Sequence, residues 1–202
     1  TQMHRNEDTF RGAIAALQDG AAVQIYPEGR SHSEPSLAPM RTGAARIALG
    51  AERSSGWSLG LRIVPVGLTY HRKTRFRSRV LASIGEPFHI GDLRELHESD
   101  EFAAVRALTD RIAQRLEQLT LNTAALEDAD LIDTAERLYA RERGMSRWRE
   151  RDVLADRLPR MQAFARGLAW LRDNEPDRYE RLARAVRHYR RRTRLLGVED
   201  GD

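Results

Sequence analysis

The first twenty positions carry a 3.6-residue repeat. Phe10, Ile14 and Leu17 share one face, Asn6 precedes them as an N-cap, Glu7 and Asp8 occupy the positive first turn, and Gly20 stops the run. The pattern predicts a helix. A short apolar run from Ala22 to Tyr26 then predicts a strand. The segment "PEGRSHSEPSLAP" that follows is too rich in Pro, Ser and Gly for regular structure, and a second helix begins near Thr42 and carries "AARIALGAE". Two further apolar runs, "RIVPVGLTY" and "RVLASIG", read as strands, and the strand-forming part closes at Gly85-Glu86-Pro87. Helix, strand, helix, strand in this order predicts an α/β sandwich with a largely parallel sheet.

Beyond about Asp92 the pattern changes. "EFAAVRALTDRIAQRLEQL" sets Phe102, Val105, Leu108, Ile112 and Leu116 at helical spacing, and no later segment reads as a strand. Helices are expected near Asp130 to Arg143, Leu158 to Arg172 and Pro176 to Leu196. The chain is thus expected to divide into an α/β part over residues 1–92 and an all-helical appendage over 93–202.

Composition narrows the function classes. A chain of 202 residues can bury a real core. The formal net charge of +4 and the sequence pI near 9.9 permit an anionic partner, but acidic residues run through the same segments and charge alone selects none. Only Lys73 is lysine, and every other Lys or Arg position is arginine, which points first to G+C-rich coding. The absence of cysteine excludes disulfides, thiolate nucleophiles and thiolate metal sites. No apolar run approaches the ~20 residues that span a bilayer. The opening "TQMHRNEDTF" is polar and acidic, unlike a signal peptide. It also begins with Thr in the approach to a helix, so the chain is expected to be incomplete.

The loop after the first expected strand carries the clearest chemistry. A glycine admits close backbone approach to a ligand, and N–H groups at a strand-to-helix turn hold phosphate oxygens. Arginine adds a permanently charged fork suited to phosphate. Glu28, between Pro27 and Gly29, is placed to accept from a substrate hydroxyl or to orient an arginine, and the carboxyl edge of an open α/β sheet is where ligands bind. A solvated loop with a structural Glu–Arg pair fits the composition equally well.

Residues 26–31, "YPEGRS", resemble the F-P-E-G-T-R-S block of the glycerolipid acyltransferases, the family of glycerol-3-phosphate and lysophosphatidate acyltransferases. Downstream, "LAPMRTGAARIAL" is similar to the family's L-x-P-x-K-x-G-x-x-x-x-A stretch, "IVPVGL" to its V-P-V block and "IGEPF" to its strand-ending G-x-P segment. These ordered blocks cover roughly residues 5–90. The segments "LTDRIAQRLEQLTLNTAALED" and "AERLYARE" are similar to the C-terminal extension of a glycerol-3-phosphate acyltransferase branch, a weaker likeness.

The resemblance implies transfer of a fatty acyl group to a hydroxyl of glycerol-3-phosphate or lysophosphatidate in phospholipid biosynthesis. The acyl group comes from a thioester, acyl-CoA or acyl-carrier protein, as co-substrate, and no cofactor is implied. It assigns Pro27, Glu28, Gly29, Arg30, Ser31, Arg41, Thr42, Gly43 and Pro65 to acceptor binding. Arg30 and Ser31 depart from the family's Thr-Arg order, so Arg30, helped by Arg41, is expected to reach the phosphate. The family's general base is the histidine of N-H-x-x-x-x-D, oriented by the aspartate. This chain has no such motif. His4 and Asp8 are one residue too close, Thr9 stands at the required position, and both precede Glu28 by too little chain, so His4 is expected at the surface of a helix start. The dyad is expected upstream of Thr1, and the chain alone is expected to be inactive. The alternative is a non-catalytic lipid- or phosphate-binding module derived from such an enzyme.

Other clusters carry less. Ser31, His32 and His71 do not form a hydrolase site, because "GRSHS" lacks the closing glycine of a nucleophile elbow, and His32 is expected to bond to backbone. The histidines lack metal-ligand spacing, so no metal is expected. "YHRKTRFRSR", Tyr70 to Arg79, reads equally as a solvated turn or a membrane-facing loop. Nucleic-acid binding lacks an accompanying motif and is not expected. "RYERLARAVRHYRRRTRLL" is read first as core through Leu182, Ala185, Val186, Tyr189 and Leu195, with a basic amphipathic helix on a bilayer as the alternative. A cytoplasmic location, peripheral on a membrane, is the expectation.

Overall fold

A computed structural model describes residues 2–32, 34, 36–70, 80–123, 126–144 and 154–196. The chain forms two compact units: Thr1–His32, Leu37–Gly67 and Ile84–Leu119 make the first, and Ser33–Ser36, Leu68–Ser83 and Thr120–Asp202 the second.

The first unit is organised by three long helices. Helix α1 (Gln2–Gln18) starts a turn before the expected Asn6, since no Pro or Gly interrupts residues 2–5. Helix α2 (Gly43–Ser54) lies beside it in the same direction. Phe10 meets Gly43, Ile14 meets Gly50, and Gln18 Nε2 donates to Ser54 Oγ at 3.1 Å. Two parallel neighbours need a return segment between them, and residues 19–42 provide it. The strand expected at Ala22–Tyr26 is not formed. These residues have no ladder partner among the described residues, and Ile25 and Tyr26 are exposed.

After α2 the chain turns through Trp57, which takes the left-handed φ of 62° and donates its N–H to the Glu52 carbonyl at 2.7 Å. The buried Glu52 carboxylate accepts the Leu61 N–H at 2.6 Å and so fixes the entry to β1 (Arg62–Ile63). The expected single strand from Arg62 to Tyr70 is broken at Pro65, which has no N–H for a ladder, and resumes as β2 (Val66–Tyr70). Strand β2 pairs with β3 (Val80–Ile84). Strand β4 (Phe88–His89), past the expected end of the strand-forming part, pairs antiparallel with β1, with Ile63 opposite Phe88. Both sheets are two-stranded and antiparallel.

Two glycines make close approaches at this end of the unit. A Cβ on Gly67 would stand 2.5 Å from the Leu119 carbonyl oxygen, and one on Gly85 2.9 Å from Leu119 Cδ1 and 3.0 Å from Pro65 Cγ. A 3₁₀ turn (Gly91–Leu93) and α3 (Arg94–Ser99) lead to α4 (Glu101–Glu117), which Asp100 caps by accepting the Ala103 N–H at 2.9 Å. Val105, Leu108, Ile112 and Leu116 of α4 close the core over Ala45, Ala48 and Leu49 of α2, together with Phe88, Ile90 and Leu93. Each fully buried leucine contributes roughly 1.5–3 kcal/mol. Phe102, expected on this face, instead lies in the first turn, 80% exposed. Helix α4 belongs by packing to the first unit, although its sequence pattern is that of the helical part.

The second unit packs α5 (Leu126–Glu142), α6 (Leu154–Asn174) and α7 (Pro176–Leu195) pairwise, around Leu131, Ile132, Met161, Leu168, Ala183 and Val186. Helix α6 starts before the expected Leu158 and carries Pro159 inside it, where the lost N–H costs one hydrogen bond near the helix start. Buried carboxylates also tie the helices. Glu136, 1% exposed, accepts from Arg157 Nε at 2.7 Å and Arg160 Nε at 2.9 Å. Burial opposes charge on Arg157, but Glu136 and Asp133 outweigh it and hold its pKa above the usual guanidinium range. Asp128 accepts from Tyr179 Oη at 2.7 Å and from Arg172 at 2.6 Å. Of the core residues expected in α7, Val186 is buried and Tyr189 half-buried, while Leu182, Ala185 and Leu195 are exposed. Among the described residues no helix is long and apolar enough to cross a membrane.

Candidate functional site

The loop between α1 and α2 is held by its backbone at one point and by a carboxylate at another. The Arg41 N–H donates to the Pro27 carbonyl at 2.8 Å and closes the neck. Inside it, Gly29 N–H donates to the Tyr26 carbonyl at 3.0 Å, closing a four-residue turn, and Gly29 takes φ +66°.

Glu28 ties this turn to the far side of the loop. Its Oε2 accepts the N–H of buried Ala38 at 2.7 Å and lies 2.6 Å from His32 Nε2. The carboxylate only accepts, so Nε2 carries the shared proton. Both side chains are mostly enclosed, at 15% exposure for His32 and 25% for Glu28. The expected backbone partner of His32 is thus joined or replaced by a carboxylate. The Glu28–His32 contact was not legible in the sequence, where an i,i+4 spacing inside an irregular loop indicates no proximity. These two bonds organise the loop, a role apart from the two expected of Glu28, accepting from a substrate hydroxyl or orienting an arginine.

Arg41 crosses directly over Gly29. A Cβ at position 29 would meet Arg41 Cδ at 2.5 Å and Nε at 2.7 Å. Glycine is therefore needed both for the turn and for the arginine stem. Thr42 follows as N-cap of α2 without a side-chain cap bond, and Gly43 opens the helix over the Phe10 ring. Arg46 stacks its guanidinium 5.1 Å from the same ring. The first N–H groups of a twelve-residue helix and the exposed Arg41 thus stand together, an arrangement suited to the oxygens of a phosphate ester.

Pro27, Glu28, Gly29, Arg41, Thr42 and Gly43 are brought together in this way. Arg30 and Ser31 continue the same loop and are exposed. Pro65 is buried at the base of the β2–β3 hairpin, where its carbonyl accepts from Gly85 N–H at 2.9 Å. Asp8 is exposed and accepts from Arg11 at 2.9 Å, and the His4 side chain lies outside the described residues. So do His71 and the rest of the basic stretch up to Arg79. Among the described residues no group of three or more acidic or His side chains could hold a metal ion.

The chain is similar to glycerol-3-phosphate O-acyltransferase 2 of Saccharomyces cerevisiae, with 34% identity over 135 residues, covering 66% of this chain and 18% of that protein. It is 32% identical over 126 residues to glycerol-3-phosphate O-acyltransferase 1 of the same yeast, covering 61% of this chain and 16% of the relative. An uncharacterized acyltransferase of Schizosaccharomyces pombe is 32% identical over 125 residues, again 61% of this chain and 18% of the relative. No family model and no solved structure matches. The chain is thus similar to proteins named as acyltransferases, two of them glycerol-3-phosphate O-acyltransferases. It spans less than a fifth of the length of these curated relatives.

Proposed function

We propose that this chain supplies the acceptor-binding part of an acyltransferase of glycerolipid synthesis. The acceptor is glycerol-3-phosphate or its monoacyl ester, and the donor is a fatty acyl thioester of coenzyme A or a carrier protein. The acceptor hydroxyl oxygen bonds to the acyl carbon, the carbon–sulfur bond breaks, and the thiol leaves with the proton. A base is needed to carry that proton. The sequence holds no N-H-x-x-x-x-D, so the His/Asp pair and the parallel strands of the α/β sandwich are assigned to other parts of a longer protein. Glu28, Gly29 and Arg41 shape the phosphate cradle, with Arg30 and Ser31 on its rim.

The observation that carries this reading is the stem of Arg41 packed over Gly29 at the start of α2, behind a loop that Glu28 holds closed. Titration calorimetry of the 202-residue chain with glycerol-3-phosphate, with glycerol as control, tests it. Arg41→Ala is expected to weaken binding by roughly 10- to 150-fold, the ~1.5–3 kcal/mol of a charge-assisted contact. Equal affinity for glycerol and glycerol-3-phosphate would remove the cradle. Turnover by the purified chain above a Glu28→Ala control would remove the assignment of the dyad to another segment.

A further inference from the structure

Helix α7 buries one stripe and presents another to solvent. Ala183 and Val186 are buried, and Tyr179, Arg190 and Thr193 extend the same side at steps of three and four residues. The opposite stripe carries Arg181, Arg184, His188, Arg191 and Arg192, all exposed. Arg184 Nε donates to the Glu180 carbonyl at 3.3 Å, and none of the four arginines is in an ion pair with a described carboxylate. Like charges crowded on one stripe repel one another, and an anionic surface would relieve this.

Beside them stands apolar surface that a purely solvated helix does not need. Leu195 and Leu196 are 78% and 72% exposed. Arg187, Arg190, Arg191 and Leu195, with Asp130, line a shallow recess of about 290 Å³, so guanidinium groups and an apolar side chain share one concavity. Phosphate oxygens above and hydrocarbon below match that pairing. A nucleic acid duplex would use the same arginines but give the two leucines no role, and a single strand would also call for exposed aromatics to stack on its bases, which the stripe lacks.

We propose that the outward stripe of α7 docks on an anionic phospholipid bilayer, its arginines among the headgroup phosphates and Leu195 and Leu196 at the edge of the acyl region. This goes beyond acyl transfer, because docking of the chain requires no turnover. The test is co-sedimentation of the 202-residue chain with phosphatidylcholine vesicles, with and without about a third phosphatidylserine. Binding is expected only to the anionic vesicles. The variant Arg181→Gln, Arg184→Gln, Arg191→Gln, Arg192→Gln is expected to bind at least a hundredfold more weakly, from roughly fivefold per arginine. Leu195→Ser with Leu196→Ser, at exposed positions that leave the core intact, is expected to weaken vesicle binding as well. Equal binding to neutral vesicles or undiminished binding by the arginine variant would overturn the proposal. So would displacement from the vesicles by a DNA duplex, combined with no effect of the leucine changes.

Discussion

Replacing Glu28 by alanine removes one oxygen that holds two parts of the loop between α1 and α2, the Ala38 N–H at 2.7 Å and His32 Nε2 at 2.6 Å. Ala38 is 5% exposed, so its N–H is left without a partner, at a cost of about 1–3 kcal/mol. The lost bond to His32 adds up to ~1.5–3 kcal/mol in a dry setting, less here because a quarter of the Glu28 side chain faces solvent. Together these destabilise the closed loop by roughly 2–4 kcal/mol. Global stability falls by less, because the loop can open and return both groups to water while the core stays folded. Amide hydrogen exchange separates the two effects. Exchange at Ala38, and at Arg41 whose N–H bonds Pro27, is expected to accelerate by about 30- to 1,000-fold, with core amides of α4 little changed. Glu28→Gln keeps an acceptor for Ala38 and is expected to fall between. Exchange at Ala38 within threefold of the original rate would refute the idea that Glu28 holds the loop.

Other perturbations test neighbouring parts of the argument. Gly29→Ala meets a left-handed φ costing about 1–2 kcal/mol and drives the Arg41 stem aside, so both the thermal midpoint and glycerol-3-phosphate affinity are expected to fall; unchanged affinity would separate Gly29 from the cradle. Glu136→Ala strands two arginines, and urea unfolding is expected to show a loss of about 3 kcal/mol, the low end for a broken buried pair because Arg157 keeps Asp133; a loss under ~1 kcal/mol would mean water satisfies them. Burial, and then its bond to Asp128, raise the Tyr179 phenol above 10.0, so its contribution stands in full below about pH 10 and is lost as pH rises through the folded value. The stability gap between the original chain and Tyr179→Phe should therefore hold from pH 7 to about 9 and shrink above 10, and a gap that widens there would reverse the assigned direction.

What could be read beforehand follows the range of the forces involved. Helices α4 to α7 were legible because an amphipathic stripe is a local signal, and their ends moved by only a few residues. The strand expected at Ala22–Tyr26 did not form, because a strand exists only with a ladder partner and composition does not supply one. Phe102 misled for a similar reason, since helical spacing gives a face but not how far along the helix the core extends. At the site, the glycine and arginines of the loop were visible as residue types. The packing of Arg41 on Gly29 and the proton shared by Glu28 and His32 depend on how the loop closes, which spacing does not encode. The buried carboxylates Asp128 and Glu136 were hidden among many surface acids of the same kind.

The pinch of Leu119 by Gly67 and Gly85 has a consequence for how this chain can vary. In a saturation library, neighbouring positions of β2 and β3 should accept many residues, while 67 and 85 should reject even alanine, since a new methyl at 67 meets a backbone oxygen that cannot rotate away. Position 119 should tolerate changes of side-chain shape better than any change that shifts its peptide. The junction would then appear in selection data as two fixed points in a permissive stretch, and homologues drifting apart around it would keep the end of α4 and the hairpin base in one register.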